Sequence, residues 1–165
     1  MTRRSRAILA AMLALAAVGL PGPGVARDRD GDEECAREHG RIRLPEGWVS
    51  ARLSFSGIGA RGQVTEGAHF PGGTLRSLRI EVEWREIEDG HQQRLELFSP
   101  DGALYQRFTT SFTGNGRRTA VDTALPVAGT SITDAGLYGE WCAEVFLDDD
   151  DAPIARRPFR LTSPH

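Results

Sequence analysis

The chain has 165 residues, with 20 basic and 23 acidic side chains and a formal net charge of −3, and every basic residue is arginine. A balance this close to neutral leaves no electrostatic footprint for nucleic acid or an anionic lipid surface. The absence of lysine excludes a Schiff-base lysine, a phosphate-loop lysine and a Ser-Lys dyad.

In chain order, MTRRSR places three arginines ahead of the apolar run Ala7 to Leu20, and PGPGVA supplies a helix breaker and small residues before Arg27. This is the pattern of a secretory signal peptide over residues 1–26 with cleavage after Ala26. The run is too short for a stable membrane anchor, so no stable membrane insertion is expected after cleavage. Arg3 and Arg4 lack the apolar pair that follows a twin-arginine signal, and the first cysteine, Cys35, is too far from the cleavage region for a lipoprotein anchor. A secreted or periplasmic chain of 139 residues and formal charge −6 is the expected product, the length of one domain.

Residues 27–44 mix charges densely with few apolar side chains and are expected to form a largely disordered leader. Cys35 and Cys142 are the only cysteines of a chain that leaves the reducing cytoplasm, and a disulfide between them is the simplest account, with two separate thiols as the alternative. A loop of that size constrains the unfolded chain by about 4–5 kcal/mol in the entropy model.

From Pro45 to residue 162 the texture is that of successive strands. Ala51, Leu53 and Phe55 alternate with Ser50, Arg52 and Ser54, whereas residues 57–73 are glycine-rich and predict a loop or an irregular edge strand. The strongest period-two signal places Leu78, Ile80, Val82 and Trp84 on one face and Arg79, Glu81, Glu83 and Arg85 on the other. RLELF turns Leu95 and Leu97 inward, Ser99 to Gly102 suit a type I turn, and Asn115-Gly116 predicts a type I′ hairpin to RRTAVDTALPV. Trp141, Ala143, Val145 and Leu147 share a face, Asp148 to Asp151 turn the chain, and Phe159 and Leu161 return to the core.

About seven or eight strands with frequent turn signals and no amphipathic helix predict an all-β fold, an antiparallel β-sandwich, with a closed barrel as the alternative. The predicted core is Leu53, Phe55, Ile80, Val82, Trp84, Leu95, Leu97, Trp141, Val145, Phe159 and Leu161. GLYGEWCAEVFLDDDDAPIARRPFRL, from Gly136 to Leu161, resembles the last hairpin of bacterial exported immunoglobulin-like domains, and Phe98 to Gly102 resembles their central turn. The resemblance implies an immunoglobulin-like sandwich and brings no active site with it. The chain departs from antibody-type domains, which bridge two facing strands, because Cys35 lies outside any predicted strand.

Candidate sites are sparse. Asp28, Asp30 and Asp32 begin with calcium-loop spacing, but Glu33 and His39 stand where an EF-hand wants Gly and Glu; this cluster and Asp148 to Asp151 are read as solvated, so no metal or other cofactor is expected. His39, His69, His91 and His165 form no pair at metal spacing, there is no Gly-x-Ser-x-Gly elbow, and His69 and His91 are expected at the surface. The pairs Arg117-Arg118 and Arg156-Arg157 are read as partners of neighbouring acids, with anion binding the sharper alternative. The Arg79 to Arg85 stripe is expected to face Arg94 and Glu96 as a salt-bridge ladder. His69 and Phe70 lie where a loop either anchors a partner or plugs the core.

The expected function is an exported, non-enzymatic module that binds or braces another envelope or extracellular protein or glycan, with His69, Phe70, Arg117 and Arg118 as the candidate binding residues. A small secreted hydrolase or metal-dependent enzyme built around His69 is the alternative. A purely structural domain is a third.

Overall fold

The computed structural model describes Cys35, residues 39–45 and residues 47–164; the expected signal peptide, most of the leader including Asp28 to Asp32, and His165 lie outside these residues. Among the described residues ten strands form: β1 (His39–Leu44), β2 (Gly47–Gly59), β3 (Val64–Glu66), β4 (His69–Pro71), β5 (Leu75–Arg85), β6 (Glu88–Phe98), β7 (Leu104–Asn115), β8 (Arg118–Pro126), β9 (Gly139–Leu147) and β10 (Ala155–Thr162). One sheet has the order β1-β2-β5-β8, with β3 also on β2, and the other β4-β10-β9-β6-β7. Each has open ends, so the two layers make a sandwich and the barrel alternative is not formed. Without β1, β3 and β4 the sheets are β2-β5-β8 and β10-β9-β6-β7. These match the A-B-E and G-F-C-C′ strands of immunoglobulin-like connectivity.

The strand count exceeds the expected seven or eight because of three short edge pieces. β3 and β4 occupy the glycine-rich stretch, β4 pairing in parallel with Arg160 to Thr162. β1 lies ahead of Pro45, inside the segment read as leader, because Ile42 and Leu44 pack against the core while Arg41 and Arg43 face water. A single helical turn, α1 (Ser131–Asp134), is capped by the Thr130 hydroxyl, which accepts from the Ile132 N–H, and it buries Ile132 between β8 and β9 in sequence.

All eleven predicted core residues are buried. Trp84 and Trp141 carry indole N–H groups that need acceptors inside the core, and they find the Gln93 side-chain oxygen at 2.8 Å and the Leu137 carbonyl at 3.1 Å. Gln93 is thereby an inward polar residue of β6, only 1% exposed.

Two expectations of strand pairing are corrected. Asn115-Gly116 makes no hairpin: β7 pairs with β6 and β8 with β5, so the chain passes there from one sheet to the other. Only Gly116 has positive φ, at 72°, whereas a type I′ turn needs it at both central residues. The crossover runs beside the β5-to-β6 passage, with Gly116 N–H on the Ile87 carbonyl and Glu86 N–H on the Arg117 carbonyl. The salt-bridge ladder between the Arg79 to Arg85 stripe and Arg94 and Glu96 also fails, because β5 and β6 belong to opposite sheets. Arg79 instead pairs with Asp122 of β8, and Glu96 with Arg94 and Arg107.

The outer face of the β6-β9-β10 layer is not simply wet. Cys142, Glu144 and Phe146 alternate outward from Trp141, Ala143 and Val145, yet all are buried. Long arginines cover them: Arg94 lies 4.2 Å over the Phe146 ring, and Arg156 Nε is 3.2 Å from Glu144. Cys142 is bonded to Cys35, with Cα atoms 5.9 Å apart.

Candidate binding face

The outer face of β1, β2 and β5 gathers the polar groups that no core requirement explains. β2 turns Val49, Ala51, Leu53 and Phe55 inward, so Trp48, Ser50, Arg52, Ser54 and Ser56 face out. Trp48 is 50% exposed, one of three large apolar side chains at the surface among the described residues. Arg43 stands directly opposite it on β1 and Arg41 diagonally, their guanidinium carbons 6.0 Å and 5.4 Å from the indole centre.

Beside this aromatic lies a groove of about 430 Å³ lined by Gly40, Arg41, Ser50, Ala51, Arg52, Glu83 and Arg85. Glu83 forms its floor, only 7% exposed, and divides its oxygens between Arg85 and Arg118, each at 2.6 Å. Arg52, opposite Glu83 in register, is exposed and makes no ion pair among the described residues. Four arginines of the described residues, Arg41, Arg52, Arg85 and Arg118, thus line the groove or bind its one carboxylate, whose charge is already shared by two of them. This corner is cationic although the whole chain is anionic.

A second groove of about 320 Å³ continues along β2, lined by Ser54, Phe55, Ser56, Glu66, Gly67, Arg79, Glu81 and Arg157. It opens where neither β1 nor β3 pairs with β2. Arg157 crosses the sandwich edge there to donate to the Leu53 carbonyl at 2.7 Å. Asp122 accepts two hydrogen bonds from Arg79 and raises its pKa above an already high value, so this guanidinium is neutralised within the face. From Trp48 to Ser56 the outward residues of β2 span about 26 Å at ~3.3 Å per residue.

The four residues expected to bind do not converge. Phe70 is 1% exposed and packs against Gly57, where a Cβ would lie 2.6 Å from its ring; it plugs the core. His69 is exposed beside a recess of about 100 Å³ lined by Ala68, His69, Glu140, Pro158, Phe159 and Arg160. Arg117 and Arg118 lie at the far end of β5, which is eleven residues and about 33 Å long. Of the four, Arg118 alone reaches the face described above, through Glu83.

His91, expected at the surface, lies in β6 with its side chain 13% exposed and its Nδ1 2.8 Å from Asp148. Asp148 also accepts from the Gln92 N–H at 2.9 Å, so the first member of the acidic run fastens the start of the β9-to-β10 turn to β6. Among the described residues no three His, Cys, Asp or Glu side chains gather as a metal-holding group.

Trp48, Arg41, Arg43 and Arg52 were not marked by motif. Their signal is a break in alternation: an indole placed on the wet side of a strand whose Val49, Ala51, Leu53 and Phe55 point inward. No family model and no curated protein matches the chain. Among solved structures it is similar to the C-terminal domain of Wzt, at 12% identity and a TM-score of 0.45, over 78% of this chain and 79% of that one.

Proposed function

We propose that the chain is an exported, non-enzymatic binding module whose ligand lies along the outer face of β1, β2 and β5. The observation that carries this reading is the exposed Trp48, with Arg41 and Arg43 over its ring, beside a groove in which Arg52 has no ion pair among the described residues. An indole face offers apolar contact to a flat ring, guanidinium groups take carboxylates bidentately, and the row Ser50, Ser54 and Ser56 offers hydroxyls along the same line. An acidic glycan of the envelope or extracellular space fits that combination. A disulfide also suits a protein outside the reducing cytoplasm.

The enzyme reading is less well supported. The recess at His69 contains one carboxylate, Glu140, which sits 3.7 Å from Arg160, and its lining includes no hydroxyl or thiol nucleophile.

Titration of the purified chain with a uronic-acid polysaccharide, a neutral glucan and an acidic peptide tests the proposal. The acidic polysaccharide is expected to bind most tightly and to weaken with salt. Trp48→Ala or Arg52→Glu should each lower that affinity by about tenfold or more without moving the melting midpoint, since both side chains are exposed. Equal binding of the neutral glucan, or preference for the peptide, would reject this ligand.

A further inference from the structure

β7 ends its sheet, and no strand of the described residues pairs with its far edge. Edges that remain single are ordinarily blunted by charge, proline or a bulge. β8, the corresponding edge of the other sheet, carries Arg118, Asp122 and Pro126. From Phe108 to Gly116 the β7 edge has no charge and no proline, and its register with β6 is unbroken from Asn115 to Gln106.

The segment Phe108-Thr109-Thr110-Ser111-Phe112 is also symmetric by chemical type about Thr110. In an antiparallel pair of two copies with the two-fold axis at Thr110, Thr110 meets itself, Thr109 meets Ser111 of the second copy, and Phe108 meets Phe112 of the second copy. Thr-Ser and aromatic pairs are the favourable cross-strand combinations. Further out, Arg107 meets Thr113 and Gln106 meets Gly114, so no like charges oppose along the seam. Phe108 and Phe112 lie on the inner face, half-buried at the open side of the sandwich, with Phe112 stacked 5.6 Å from Trp84. Thr109, Ser111 and Thr113 are exposed on the outer face.

We propose that the chain forms a two-fold dimer by antiparallel β7 to β7 pairing centred on Thr110, joining two five-stranded sheets into one. The occupant is a second copy because an unrelated strand would use only the backbone edge, whereas the symmetry of the side chains serves only self-pairing. The two copies meet along a seam whose central residues, Phe108 to Phe112, carry no charge, despite their shared negative charge.

Sedimentation equilibrium of the purified chain from micromolar to millimolar concentration is the test, with a reversible monomer–dimer equilibrium expected. Thr109→Lys with Ser111→Lys sets like charges opposite one another twice and should weaken association at least tenfold. Thr109→Lys with Ser111→Glu sets opposite charges there and should preserve or tighten the dimer. Both variants alter exposed outer-face positions, and circular dichroism should show them equally folded. A wild-type chain that is monomeric throughout, or that captures an extended peptide on β7 without self-associating, would overturn the proposal. So would equal association of the two variants.

Discussion

Single residues show where alternation stops being a sufficient guide. Glu83 falls on the wet side of β5 by period, and it is there, yet two arginines from β5 and β8 close over it. Gln93 shares the inward parity of Leu95 and Leu97 although it is polar, and it is the buried acceptor for Trp84 because β6 lies in the opposite sheet and brings it under the indole. Nothing local in the sequence marks that pairing: a tryptophan demands an acceptor, but which one depends on how the two layers superpose. Trp84→Phe leaves the Gln93 oxygen buried without a donor, and Gln93→Leu leaves the indole N–H without an acceptor. Each is expected to cost about 1–3 kcal/mol in urea unfolding. The double variant should cost less than the sum, since neither polar group is then stranded. Additive losses would mean that the hydrogen bond contributes nothing beyond packing.

At the scale of elements, existence was legible and partnership was not. The faces of β2, β5, β6, β9 and β10 follow from period two because one side must leave water. The Asn115-Gly116 signal failed for a different reason: glycine supplies positive φ equally to a hairpin and to a crossover between sheets, and sheet membership is a non-local outcome. β1 was hidden because its charges dominate its composition, although Ile42 and Leu44 already alternate with Arg41 and Arg43. Its docking depends on Gly40, where a Cβ would coincide with the Ile154 carbonyl. Gly40→Ala is therefore expected to detach β1 while β5 and β9 keep their amide protection in hydrogen exchange. Because β1 carries Arg41 and Arg43, the same variant should weaken the acidic polysaccharide about tenfold or more. Unchanged protection across residues 39–44 would show that the strand accommodates the methyl group.

For the molecule as a whole, the disulfide and β1 act together. Cys35 is fixed to the outer face of the β9 layer, and four residues later the chain pairs with β2 in the other layer. One short segment thus ties the two sheets across the side of the sandwich where β1 and β10 approach, in addition to the core between them. The bond joins positions 107 apart, and closing a loop of that size removes about 4–5 kcal/mol of unfolded-state entropy in the chain model. Both cysteines are buried, so the sulfurs also fill space on the covered face. Cys35→Ser with Cys142→Ser should leave the β2 to β10 sandwich folded and lower the thermal midpoint by about 10–20 °C. Protection in hydrogen exchange should fall first along β1, because that strand loses its anchor at the Cys35 end. Reducing agent added to the wild-type chain should reproduce the same midpoint, and a chain made in a reducing compartment would be this weaker form. A double variant that melts at the wild-type temperature would show that β1 and the core hold the layers without the bond.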